Sequence, residues 1–91
     1  MSYRIQFSQE AKGVIRKWKK SNPVSFRRLY RLLPELESHP RTGTGHPVPL
    51  KGGNGITYSR RLSGHGRIIY DIYDDVVTVL VISVEGHYDD K

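Results

Sequence analysis

Residues Val76 to Val84 form a nearly unbroken apolar run. Such a run reads as a strand in the middle of a sheet, buried on both faces, so the rest of the chain must supply its neighbours and a covering layer. Strand candidates lie on its N-terminal side at Ile56 to Leu62 and Arg67 to Tyr73. They are separated by Ser63-Gly64-His65-Gly66 and by Asp74-Asp75, and both breaks read as hairpin turns. Tyr3 to Phe7 alternates apolar and polar residues and reads as a first strand, ending at Ser8, which can cap a helix.

The covering layer is predicted from helical spacing. Ala11, Val14, Ile15 and Trp18 form one apolar stripe, with Lys12, Arg16, Lys17, Lys19 and Lys20 on the solvent side. Asn22-Pro23 caps and opens a second helix, whose stripe of Phe26, Leu29, Tyr30, Leu33 and Leu36 continues past Pro34 by a kink or a restart. Residues 40–55 change to Pro, Gly, Thr and charge with no period, which reads as a long ordered or functional loop. The order βααβββ gives an α+β fold, a largely antiparallel four-stranded sheet with two N-terminal helices packed on one side. The 91 residues fit a single domain, 1–91.

Composition narrows the chemistry. There is no cysteine, so disulfides, thiolate metal clusters and a cysteine nucleophile are excluded, in keeping with a reducing cytoplasm. The N-terminus lacks an apolar signal core, and no apolar run approaches the roughly 20 residues of a membrane helix, so the expectation is a soluble, unexported protein without membrane contact. The net charge of +6 is unevenly spread: residues 1–33 carry nine Lys/Arg against one acid, and residues 71–91 carry six acids against one lysine. Such a surface suits RNA or an acidic protein partner. The histidines at 39, 46, 65 and 87 lack the spacing of a zinc site, and Gly52-Gly53-Asn54-Gly55 lacks the context of a phosphate loop, so no metal or cofactor is expected. Neither helix forms a turn-and-recognition pair for DNA.

Three segments can carry chemistry: Gly45-His46-Pro47-Val48-Pro49-Leu50-Lys51, the strand pair Tyr58-Ser59-Arg60-Arg61 with Arg67, and Gly86-His87-Tyr88. Together they supply cations, imidazoles and phenols, which is what RNA cleavage through the ribose 2′-oxygen needs. A base removes the 2′-proton, cations stabilise the phosphorane, and an acid protonates the leaving 5′-oxygen. A two-residue turn at Gly64-His65 would put Arg61 and Arg67 on opposite faces of the sheet. A register shifted by one would put them on the same face.

The ordered series Arg41-Thr42-Gly43-Thr44-Gly45, Pro47-x-Pro49-Leu50-Lys51, Ser59-Arg60-Arg61, Arg67-x-x-Tyr70 and Gly86-His87-Tyr88 resembles the YoeB/Txe toxins of the RelE superfamily. The resemblance implies a RelE-like fold, ribosome-dependent endonucleolytic cleavage of mRNA, and a YefM-like antitoxin that lays a C-terminal segment over the active face. A homodimer or toxin–antitoxin hetero-oligomer is consistent with it. By position, Arg67 resembles the arginine that stabilises the scissile phosphate, His87 the general acid, and Tyr88 the tyrosine beside it. Lys51 and Arg61 resemble residues that contact the RNA backbone, and Tyr58 and Arg60 of the same motif join them as RNA-contacting candidates. Where the family has a glutamate proposed as general base, this chain has Val48. Tyr58 replaces the usual tryptophan, and Gly66 a histidine. Either His46 supplies the base, since in an extended loop it would point to the same side as Val48, or Glu85 does, two residues from His87. Otherwise cleavage is weakened, or the chain is a relative that binds antitoxin or ribosome without cutting.

Overall fold

The computed structural model describes residues 2–50, 55–63 and 66–85. β1 (Arg4–Phe7) is followed by α1 (Gln9–Ser21), α2 (Pro23–Ser38), β2 (Val48–Pro49), β3 (Thr57–Arg61), β4 (Arg67–Tyr73) and β5 (Thr78–Glu85). The sheet order is β1-β5-β4-β3-β2, with β1 parallel to β5 and the other pairs antiparallel. The α+β architecture follows the sequence pattern, with one correction. The sheet has five strands and not four, because Val48 and Pro49 leave the long loop to pair with Ser59 and Tyr58. A two-residue edge strand containing proline leaves no periodic signal, and an edge is where proline is tolerated in a sheet.

β5 is central, as its composition predicts, but its apolar run has a different origin. The β4–β5 register shifts between Ile69 and Tyr70, so Ile69 faces Ser83, Tyr70 faces Val81 and Ile82 is left as a bulge. The bulge lets Val79, Val81 and Val84, of mixed parity, all be buried. Leu80 and Ile82 remain half-buried. The expectation of full burial on both faces is thus corrected. The carbonyl freed at Ile82 accepts from the Ser8 hydroxyl at 2.5 Å, while Ser8 Oγ accepts from the Ala11 amide at 3.0 Å. One serine therefore caps α1 and closes the bulge.

Both helices pack on the sheet face that carries Ile68, Tyr70, Ile72, Val79 and Val81. Ala11 and Trp18 of α1 are buried there, and Trp18 is a core residue. In α2 the buried stripe is Leu29, Leu32 and Leu36. Tyr30 is 51% exposed, a correction to the predicted stripe, and packs its ring on Phe26 with centroids 4.7 Å apart. Asn22 Oδ1 accepts from the Ser25 amide at 3.3 Å to cap α2, and Pro34 lies inside one continuous helix. Pro34 removes the amide that would bond Tyr30, and both residues are exposed, so water can satisfy that carbonyl. Among the described residues, no helix is long and apolar enough to cross a membrane.

The break at Asp74-Asp75 is a hairpin connection, with a four-residue loop between the paired residues Tyr73 and Thr78. Residues Asp74–Val76 form a single 3-10 turn, Val77 follows with φ 47° and ψ 52°, and β5 begins only at Thr78. A β-branched residue in this left-handed region is strained by about 1–3 kcal/mol, whereas asparagine tolerates it. Val77→Asn is therefore expected to raise unfolding stability by about 1 kcal/mol, read as a higher urea midpoint; an unchanged or lower midpoint would show that the half-buried valyl contacts outweigh the strain.

Candidate functional site

The residues after α2 fold back over β3 because a buried cation holds them. Arg60 has no exposed surface. Its Nη2 donates to the carbonyls of His39 and Thr42 at 2.8 and 2.9 Å, and its Nη1 donates to Thr44 O at 3.1 Å. Its Nε donates to Tyr70 Oη at 3.3 Å, and Tyr70 in turn donates to Pro40 O at 2.7 Å. Burial pushes the Tyr70 phenol above its ordinary pKa while Arg60 pulls it down, and a protonated phenol is what the bond to Pro40 requires. Glu35 Oε1 lies 3.7 Å from Arg60, and Glu35 Oε2 accepts from the Thr44 amide at 2.8 Å.

The glycines of this loop are needed for that closeness. Gly45 has φ 87°, and a Cβ there would collide with the Arg61 carbonyl and the Arg60 side chain; Gly43, at φ 106°, sits against the Glu35 carboxylate. Gly45 O accepts from the Arg61 amide at 2.7 Å, fastening the loop to the end of β3. On the outside, Arg41 grips Asp74 with Nη2–Oδ2 at 2.8 Å, and Tyr3 donates to Asp74 Oδ1 at 2.6 Å. Hydrogen bonds from Arg41 and then Tyr3 hold the Asp74 carboxyl below its usual pKa.

These contacts place a cleft of about 110 Å³ between the loop and the sheet, lined by Gly45, His46, Val48, Ser59, Arg61 and Arg67. Its cations depend on register. Arg61 pairs directly with Arg67, and Gly66 O accepts from the amides of both Leu62 and Ser63, at 2.8 and 3.2 Å, so the connection is one residue longer than a two-residue turn. Of the two registers open to the sequence, the structure adopts the one with both arginines on a common face. Among the described residues neither has a salt-bridge partner, although Glu85 is the cross-strand neighbour of Arg67.

His46 reaches the cleft by an unexpected route. Its φ of 56° is left-handed, so the loop is not extended there, and alternation does not explain why His46 and Val48 share the cleft. The turn at His46 does. Val48 is 42% exposed at the sheet edge opposite Ser59, so the cleft presents two methyl groups where a carboxylate would otherwise be expected. Ser59 was missed by motif reading, yet alternation along β3 puts it on the same face as Arg61.

Two candidates do not join the cleft. Arg60 is buried with its guanidinium committed to loop carbonyls, so its assignment as an RNA contact is corrected to a structural role. Tyr58 lies on the helix-facing side, with its ring stacked on Tyr70 at 6.3 Å, because adjacent strand residues alternate faces. Lys51, His87 and Tyr88 lie outside the described residues.

Residues 7–88 match the YoeB-like toxins of bacterial type II toxin-antitoxin systems. The chain belongs to that family. Toxin RelK of Mycobacterium tuberculosis is 36% identical over 63 residues, covering 69% of this chain and 74% of the relative. Toxin YoeB of Streptomyces coelicolor is 29% identical over 85 residues, covering 93% and 99%. The fold matches that of the YoeB–YefM complex from Staphylococcus aureus with a TM-score of 0.78 and 25% identity, covering 97% of this chain and all of that one (100%).

In this YoeB-family chain the loop anchors can be tested separately. Arg60→Ala leaves buried carbonyls without donors and is expected to destabilise the fold by about 3–5 kcal/mol in urea unfolding. A loss below about 1 kcal/mol would mean that water replaces the guanidinium. Asp74→Asn tests the outer clip. Because the folded pKa of Asp74 is lowered, its contribution is present above the unfolded value of about 3.9 and is lost as pH falls through the folded value. The variant should be less stable than wild type at pH 7, and the gap should close as pH drops below about 4; a gap independent of pH would assign the effect to something other than the charge.

Proposed function

We propose that this chain is the toxin of a type II pair that cleaves mRNA on the ribosome, using the ribose 2′-oxygen as nucleophile and side chains alone for catalysis. The observation that carries the reading is the pair of guanidinium groups, Arg61 and Arg67, on one face of a cleft that also holds His46, with no acid bound to either among the described residues. Guanidinium forks match phosphate oxygens two at a time and stay charged throughout the reaction.

In this scheme Arg67 binds the non-bridging oxygens of the scissile phosphate, and Arg61 and Lys51 hold the strand. His46 accepts the 2′-hydroxyl proton as the 2′-oxygen attacks phosphorus. The P–O5′ bond then breaks and His87 donates its proton to the departing 5′-oxygen, with Tyr88 beside it. The products are a 2′,3′-cyclic phosphate and a 5′-hydroxyl. A histidine can serve in either transfer because its ordinary pKa lies near neutrality. The partners proposed are a YefM-like antitoxin that covers the cleft and the ribosome with its mRNA, acting from the cytoplasm, and the assembly is a homodimer or a toxin–antitoxin hetero-oligomer.

Val48 favours a second reading, a relative that binds antitoxin or ribosome without cutting, since an alkyl side chain cannot move a proton. The two readings separate on programmed ribosomes. Under the nuclease reading, mRNA is cut to fragments ending in 2′,3′-cyclic phosphate. Arg67→Ala and His46→Ala each lower the rate by about 10²–10⁴-fold, His87→Gln abolishes the cut, and Val48→Glu raises it. Ribosome binding by wild type with no cut mRNA, restored only in Val48→Glu, is the outcome of the non-catalytic reading.

A further inference from the structure

Arg61 borders two clefts. Besides the one it shares with Arg67, it lines a larger opening of about 320 Å³ between α2 and the end of β3, together with Arg28, Arg31, Glu35, Leu32 and Leu62. Arg28 and Arg31 are three residues apart and therefore share a face of α2. Both are exposed, and among the described residues neither they nor Arg61 has an acidic partner. Glu35 is the acid on this wall, but its carboxylate accepts from the Thr44 amide and stands 3.7 Å from Arg60, so its charge is offset within the loop. Three guanidinium groups thus border one opening without a counter-ion among the described residues. Their mutual repulsion costs stability, and a bound polyanion would relieve it.

We propose that this second cleft binds a phosphodiester of the same RNA strand, next to the one that is cut, so that Arg67, Arg61, Arg31 and Arg28 form a continuous track. The assignment rests on the nuclease reading of the smaller cleft. RNA is favoured over an acidic peptide because Arg61 belongs to both openings. A polynucleotide held there by one phosphate carries its next phosphate at a fixed repeat, and arginines in sequence along one track suit that repeat. Half-buried Leu62 gives the track an apolar side against which a base can lie, while arginine contacts to phosphate carry no base identity. The subsite therefore adds affinity and strand direction without sequence preference.

The test measures binding of 2′-O-methyl oligoribonucleotides, which cannot be cleaved, to the full chain by fluorescence anisotropy. Wild type is compared with the Arg28→Gln/Arg31→Gln double variant on a dinucleotide and on an octanucleotide across a salt series. The expected result is a loss of about ten-fold or more for the octanucleotide. The slope of log affinity against log salt should fall by about 1.4, for two phosphate contacts on a single strand. Dinucleotide binding should be unchanged. Unchanged octanucleotide binding, or an equal loss for both lengths as a folding defect would give, overturns the subsite. So does loss of binding to a glutamate-rich peptide with the octanucleotide unaffected, which would assign the cleft to a protein partner. Failure of the nuclease reading shows separately, as intact mRNA in the wild-type ribosome assay.

Discussion

The buried guanidinium of Arg60 is the contact on which the working surface depends. A charge taken out of water is tolerated only where hydrogen bonds replace hydration. Here the replacements are the carbonyls of His39, Thr42 and Thr44 and the phenol of Tyr70. The exchange runs both ways. His39 O also accepts from the Thr42 amide at 3.3 Å, and Glu35 Oε1 stands 3.7 Å from the guanidinium, so loop and arginine satisfy one another. Gly43 and Gly45 allow the approach, Gly45 O meets the Arg61 amide, and the chain then turns through His46 into the edge strand. The position of one side of the cleft is thus fixed from beneath the sheet, by a residue that never faces the cleft.

The other side is fixed by strand register. Because the β3–β4 connection is one residue longer than a two-residue turn, Arg61 and Arg67 stand directly across from one another on the open face. Two adjacent guanidinium groups with no ion-pair partner among the described residues repel, and alternation alone would have separated them under the tighter turn. The bulge at Ile82 does comparable work on the opposite face: it switches side-chain parity so that Val79, Val81 and Val84 all enter the core. The sheet therefore keeps a dense apolar side beneath the helices and a cationic side beneath the loop.

At position 48, where the resemblance to the YoeB/Txe toxins implies a glutamate, this chain has valine. The pairing of Val48 with Ser59 keeps the backbone of the loop on the sheet edge, so the valine occupies the wall of the cleft with the scaffold around it intact. What changes is the proton-transfer chemistry available at that wall. His46, two residues earlier, lines the same cleft only because its backbone is left-handed.

The sequence by itself determined the order of every element but the edge strand β2, the helical covering layer and the interior place of β5, since these follow from apolar periodicity that each segment carries locally. It also exposed the motif series, which named Arg61, Arg67, His46 and Val48 before any geometry. Tertiary structure alone decided which of those residues meet. The fifth strand at Val48–Pro49, the burial of Arg60 and the retreat of Tyr58 to the helix side all follow from pairing partners far away in the chain. So does the common face of Arg61 and Arg67: a single residue of loop length reverses the side of every side chain beyond it, and local pattern is nearly blind to that one residue.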